Sequence, residues 1–360
     1  MSKAADLART ASASETALSN RRISMNGAMI VAQRGTSATG IGASDNNFPC
    51  VDRMKVRSEL SAGRATVSQV ADGPSGFVNC LKFACTTADT SIAAGETFFL
   101  TNIFEGQDLQ QLKKGTSDAE SVTLSFYVKG NASATYTLEM KDQDNSRINT
   151  QTFAVTTSWN KISLTFIPDT TGAYDDDNLA SLQVNWHLHA GSTYTGGTFA
   201  SNTWASEVQA NRVSSSATSF LDSTNRTFFI TGIQMEVGTV ATPFEHRSFG
   251  QELALCQRYY QLSENAHAIG LSSSTIFIAQ PLAVQMRASP TIGQTGVFNC
   301  QNGSNINTSQ SSTGLGSSYS TTREIYLHGV PNFSGLTAKE PYICPVPQNN
   351  SNRLTADAEL

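Results

Sequence analysis

Apolar and polar residues alternate along most of this chain with a period of two. In SVTLSFYVKG, Val122, Leu124, Phe126 and Val128 alternate with Thr123, Ser125, Tyr127 and Lys129, as a strand with one buried face requires. NASATYTLEM continues with Tyr136, Leu138 and Met140 in step, and Gly130-Asn131 between the two segments predicts a hairpin turn. SWNKISLTFIP places Ile162, Leu164 and Phe166 on one face, and SLQVNWHLHA does so with Leu182, Val184, Trp186 and Leu188. In TFFITGIQMEVG the face reads Phe229, Thr231, Ile233, Met235 and Val237. VDRMKVRS, NCLKFAC and ETFFLTNIF are less regular strand candidates.

Many short strands without intervening helices predict an antiparallel sandwich or jelly roll. A helical pattern stands out internally in FGQELALCQRYYQL, where Leu253, Cys256 and Tyr260 fall near one face. The expected order is an N-terminal helix or arm over residues 1–22, a β-sandwich over 23–248, a connecting helix over 249–262 and a smaller β domain over 263–360. In the arm, Ala4, Leu7, Ala8 and Ala11 share a helical face, but so short a helix is marginal alone and is expected to dock on a partner.

Composition sharpens this. Hydrophobic residues make up 39%, enough for a sizeable core, while charged residues make up 15% against roughly 25% in ordinary domains. Few charges are then available to blunt exposed strand edges, so pairing with identical copies is expected. The net charge is −5 and no Lys/Arg cluster is present, which argues against a nucleic-acid partner. No apolar run reaches the ~18 residues of a membrane span, and the N-terminal residues lack a signal-peptide core. Cys50, Cys80, Cys85, Cys256, Cys300 and Cys344 show no CxxC or metal-ligand spacing and read as six buried thiols.

Candidate chemistry is sparse. The chain contains no GxSxG, HExxH, GxxxxGK[ST] or GxGxxG, and no internal repeat, so no enzyme is expected. Gln183, Asn185, His187 and His189 alternate onto the face opposite Trp186. Side chains at i and i+2 lie roughly 6–7 Å apart, so His187 and His189 would share a metal or, with Tyr194 and Trp204, contact a glycan. A polar inter-strand or inter-subunit face is the plainer reading. Trp159 and Trp186 read as core and Trp204 as surface. Two acidic runs, Asp175, Asp176, Asp177 with Asn178 and Asp142, Asp144 with Asn145, offer the hard oxygen ligands calcium prefers, though such residues also simply suit turns. No other cofactor is expected.

RRISMNGAMIVAQRGTS resembles the opening of a family of bacteriophage tail-fibre and virion proteins common in marine phages. The shared residues are Asn26, Gly27, Met29, Ala32, Gln33, Arg34 and Gly35, then Asp52 and Arg53, with Met54 where the family tends to carry Trp. SLTFIPDTTGAY is similar too. So is the stretch carrying Gln234, Glu236, Gly238, Thr242, Phe244, Glu245, Cys256, Gln257, Arg258 and Tyr259, as are VQMRASPTIG and the terminal ADAEL. The resemblance implies a jelly-roll domain like a carbohydrate-binding module, a smaller β domain, and a virion structural protein assembled in the host cytoplasm, often a homotrimer. It implies a tail-fibre or appendage role in host attachment, with residues 1–22 meeting neighbouring virion proteins and a host-surface glycan as ligand. The alternative is a capsid decoration, head-fibre or tail adaptor protein without receptor binding.

Overall fold

The protein is seen here as a computed structural model that describes residues 3, 21–263, 266–295, 298–302, 308–310, 314–344 and 353–360. The expected arm over residues 1–22 lies outside the described residues, apart from Lys3, Arg21 and Arg22. The chain divides into two compact units, residues 1–249 and 250–360.

The first unit is an antiparallel β-sandwich of jelly-roll type. Its strands are β1 (Ser37–Ala43), β2 (Asn46–Asn47), β3 (Lys55–Glu59), β4 (Ser61–Val70), β5 (Cys80–Thr87), β6 (Thr97–Glu105), β7 (Val122–Gly130), β8 (Ala134–Asp142), β9 (Arg147–Val155), β10 (Asn160–Phe166), β11 (Ala180–Ala190), β12 (Ala205–Ser206) and β13 (Thr227–Val237). One sheet runs β1-β4-β5-β13-β7-β10 and the other β12-β9-β8-β11-β6-β3-β2. The chain changes sheet repeatedly, which is what stacks the two layers. A single apolar core joins Leu124, Phe126 and Val128 of one sheet to Leu138, Met140, Val184 and Trp186 of the other. Phe126 meets Trp186 edge-on at 5.8 Å between ring centroids. Each such side chain, fully withdrawn from water, contributes roughly 1.5–3 kcal/mol.

Three details depart from the sequence pattern. Gly130-Asn131 makes no hairpin, because β7 and β8 lie in different sheets and the turn crosses between them. Asn131 holds that crossing, accepting from the Thr227 N–H and donating to Asn225 O. In β13 the pairing with β7 slips between Thr231 and Gln234, so Phe228 and Ile230 face the core first and Ile233 and Met235 afterwards. Gly232 sits in that bulge at φ +63°, where a Cβ would come within 2.8 Å of Phe77. Trp159 is half-buried at the surface rather than in the core, with the Lys129 ammonium over its ring.

A short helix α1 (Ser192–Thr195) follows β11, and α2 (Phe249–Gln257) precedes the second unit's strands. α2 stops before the residue 262 that its pattern predicts. Tyr260–Ser263 instead forms β14, paired with β23 (Arg353–Asp357) from Tyr260↔Asp357 to Ser263↔Leu354. A helix this short is marginal, and an available strand partner captures the Tyr-rich end. The remaining strands are β15 (Ala266–Gly270), β16 (Ile276–Pro281), β17 (Thr291–Thr295), β18 (Phe298–Cys300), β19 (Thr308–Gln310), β20 (Ser317–Ser318), β21 (Glu324–Val330) and β22 (Pro341–Cys344). They form sheets β14-β23-β17, β20-β21-β16-β15-β22 and β18-β19 around a core of its own, including Ile276, Ile278, Leu327, Tyr342 and Leu354.

The six-thiol expectation is corrected here. Cys300 and Cys344 form a disulfide, while Cys50, Cys80, Cys85 and Cys256 are buried thiols. The reason is register. Gln301 and Ile343 exchange both backbone hydrogen bonds, so Cys300 and Cys344 are the next, non-hydrogen-bonded pair, the close-approaching kind, with Cα atoms 4.6 Å apart. A sequence separation of 44 residues carries no such information. Removing the bridge with Cys300→Ser and Cys344→Ser together is expected to destabilise the second unit by about 2–4 kcal/mol. Urea unfolding of the two proteins checks this, and equal midpoints would refute it. Burial pushes the Cys50 and Cys80 thiols up to about 11, so neither supplies a thiolate near neutral pH.

Candidate functional site

The polar face of β11 is sealed. His187 and His189 are 1% and 2% exposed, and Tyr194 is buried as well, so none offers the open surface a glycan would need. The segment that follows β11 lies over them. Its backbone bonds Val213 N to Tyr194 O, Thr218 N to Thr135 O and Phe220 N to Leu188 O, fastening it across β8 and β11.

Under that cover Glu139 of β8 stands opposite Asn185 of β11. Its carboxylate accepts from Arg212 Nε and Nη2, each at 2.7 Å, from Asn185 Nδ2 at 2.8 Å and from His187 Nε2 at 3.1 Å. Burial alone would raise this carboxyl, yet the Arg212 charge and hydrogen bonds, with His187, hold it well below the usual range. Burial lowers His187. The ionised carboxylate can only accept, so His187 carries its proton on Nε2. Tyr194 donates from its hydroxyl to Glu59 Oε2 at 3.0 Å. His187 and His189 do not share a ligand: His189 turns to Ser219, with 2.8 Å between Nδ1 and Oγ, and away from Glu139. Trp204 is half-buried, its indole N–H donating to Ile167 O at 2.8 Å.

The acidic turns have partners of their own. Asp142 lies 2.6 Å from Lys114 Nζ, and Asp169 lies 3.2 Å from the same ammonium. Lys114 Nζ also donates to Thr171 O at 2.8 Å and Gly172 O at 2.7 Å, beneath the rings of Tyr174 and Trp204. A protein ammonium thus occupies an all-oxygen setting of the kind calcium takes. In the other run, Asp177 Oδ1 accepts the Leu179 N–H and the Asp175 N–H donates to Asp144, while Asp175 and Asp176 point to solvent. Among the described residues, the metal-ligand side chains that do converge are Asp89, Glu96 and His189.

The motif residues form two internal knots. Asn26 Oδ1 accepts from the N–H groups of Ile30 and Val31, and its Nδ2 donates to Val31 O and Asp52 O. Asp52 takes the backbone and side-chain amides of Gln33, and buried Arg53 donates to Ile103 O at 2.6 Å. Gly27 lies against β13, where a Cβ would meet Ile233 O at 2.0 Å. In the second knot Glu236 accepts from the Thr242 hydroxyl at 2.6 Å and the Thr242 N–H at 2.9 Å, and Gln234 Oε1 accepts from the Glu245 N–H.

The open face is elsewhere, in the second unit. Along β15, β16, β21 and β22 alternate residues are buried, and their neighbours are exposed or half-buried. Phe277 and Tyr326 meet at 4.6 Å between centroids, with Tyr319 6.1 Å from Tyr326. Tyr319 is 66% exposed, and Ile269 and Ile343 also face outward. His267 and His328 complete this face. Exposed apolar surface gathered in one place marks an interaction site, and tyrosines pair a flat ring with a polar tip. REIYLHGV and STIFIAQ carry the alternation that signals this face, but only the pairing of β16 with β21 brings their rings together.

No protein-family model matches this chain, and no curated protein does. Among solved structures it is similar to one described as "CBM4 structure and function", at 12% identity and a TM-score of 0.30, over 59% of this chain and 97% of that one. It is similar to the family 11 carbohydrate-binding module of a Clostridium thermocellum cellulosomal cellulase, at 12% identity and 0.27, over 57% and 99%. A third is the enzymatically active domain of tailspike protein 4 of bacteriophage CBA120, at 12% and 0.27, over 51% of this chain and 19% of that one. At these scores none of them assigns an activity to this chain.

Proposed function

We propose that this chain is a non-catalytic structural protein of a bacteriophage particle, of tail-fibre or appendage type, which works as a homo-oligomer, a trimer in the arrangement its family resemblance implies, and helps hold the particle to the host surface. The observation that carries this reading is the place of the motif residues. Asn26, Gln33, Asp52, Arg53, Gln234, Glu236 and Thr242 all bond internally and hold loops against the sandwich. A signature made of such residues marks a scaffold, not a reaction centre.

Strand edges support oligomerisation. β10 and β1 are the edge strands of the six-stranded sheet, and the chain has few charges with which to blunt such edges. Attachment falls to the aromatic face around Tyr319 and Tyr326, with a host-surface glycan as ligand, because the polar face of β11 is covered. That cover is also the observation favouring a second reading, a capsid decoration, head-fibre or tail adaptor protein without receptor binding.

Antibody-labelled electron microscopy of the particle is expected to place the chain on the tail. Purified protein is expected to bind host cells, and Tyr319→Ala with Tyr326→Ala to weaken that binding at least about tenfold, the effect of losing roughly 1.4 kcal/mol. A head location with no cell binding would support the second reading, and absence from the particle would overturn both.

A further inference from the structure

Asp89, Glu96 and His189 meet at one end of the sandwich, where the β5–β6 connection, the start of β6 and the end of β11 converge. The three are 5%, 4% and 2% exposed. One ligand atom from each lies within 4.8 Å of the other two. Two features show that this is more than an acidic cluster. Glu96 Oε2 and His189 Nε2 are both buried without a hydrogen-bond partner. They face each other at 3.4 Å, outside hydrogen-bond geometry.

The other ring nitrogen of His189 has a partner. Ser219 Oγ already accepts the Leu221 N–H and lies 2.8 Å from His189 Nδ1. With Nδ1–H donated to Ser219, Nε2 turns a bare lone pair toward a carboxylate oxygen, inside the protein. Asp89 is held in place by the N–H groups of Ala62 and Ser91, which donate to its carboxylate at 3.0 and 3.3 Å. Two carboxylates and one imidazole nitrogen converging on a buried centre form a set that a bound cation would balance.

We propose that Asp89, Glu96 and His189 bind a divalent transition metal, zinc, as a structural site that ties the β5–β6 connection to the end of β11. Nitrogen-plus-carboxylate sets suit zinc rather than calcium, which takes oxygen. Zinc bonds imidazole nitrogen and carboxylate oxygen at about 2.0–2.2 Å, so two ligands at a tetrahedral angle sit about 3.4 Å apart. The Glu96–His189 spacing is that value. Ser219 then fills the orienting role that the second ring nitrogen of a metal-bound histidine usually requires. The fourth position falls to a water.

The test uses the full chain. Metal analysis after dialysis against zinc chloride is expected to find about one bound zinc per chain, and cobalt(II) in its place is expected to give the visible absorption of a tetrahedral site. Glu96→Gln, which keeps the side-chain volume, is expected to weaken zinc binding by more than about 100-fold, since even outer-shell changes cost ~10–100-fold. Its circular dichroism should stay native. His246→Gln, at a surface histidine outside the cluster, should bind as the parent does. Zinc bound no more tightly by the parent chain than by Glu96→Gln, or a cobalt spectrum without tetrahedral bands, would overturn the proposal and leave the two carboxyls sharing a proton instead.

Discussion

Arg212→Met is expected to destabilise the first unit by about 3–5 kcal/mol, the range for breaking one side of a buried ion pair. The guanidinium supplies two of the four hydrogen bonds to Glu139, and the carboxylate is itself fully buried. Methionine refills much of the volume but leaves a charge with Asn185 and His187 as its remaining donors. The pH dependence follows from the direction of the shift. In the parent the Glu139 carboxyl is held well below its usual range, so its contribution is present above the unfolded value and is lost as pH falls through the lower folded value. In the variant burial acts with the Arg212 charge gone and raises the carboxyl instead. The deficit is then full near neutral pH and shrinks as pH falls toward the ordinary carboxylate range, where the group protonates. Urea unfolding of both proteins at neutral and mildly acidic pH measures this. Adding Glu139→Gln to the variant should recover part of the loss, because the uncompensated charge is gone. A deficit below about 1 kcal/mol at neutral pH would mean that Glu139 is not sealed from water.

Lys114→Met is expected to cost a similar amount, about 3–5 kcal/mol, and to be repaired by a cation. Lys114 Nζ neutralises Asp142 and Asp169, and both carboxylates are nearly inaccessible. Asp169 keeps its two bonds to Arg147, at 2.8 and 3.0 Å, so Asp142 bears most of the loss, with Asn145 alone among the described residues left to donate to it. The carbonyls of Thr171 and Gly172 remain as further oxygens. Removing the ammonium converts an occupied setting into an empty oxygen cage. Millimolar calcium is therefore expected to raise the melting temperature of the variant and leave the parent unchanged. A parent that responds to calcium as the variant does would place a calcium site elsewhere. A variant that ignores calcium would show that the cage collapses without its lysine.

Much of the sandwich was legible in the sequence. Val122 to Val128, Tyr136 to Met140 and Leu182 to Leu188 alternate as strands must, and all face the core. β4 and β9 were harder to see. Ser61, Gly63, Ala65 and Val67 are small, and RINTQTFAV is mostly polar, so neither carries a strong alternation. The site was much less legible. His187 and His189 read as part of a polar inter-strand or inter-subunit face, with metal or glycan contact as the sharper readings, and the structure encloses both beneath a segment that arrives after β11. Alternation says that a residue leaves the core side of its own strand. It says nothing of what may lie on the other side.

The sequence by itself determined a β-rich chain and most of the residues on its core faces, because strand period and burial are local properties written into consecutive residues. The tertiary structure alone decided which residues became partners. Cys300 met Cys344, Lys114 entered between Asp142 and Asp169, and Asp89 and Glu96 reached His189. The physical reason is common to all three. Each depends on sheet register, crossings between layers and loop placement, where one residue of slip turns a side chain to the opposite face.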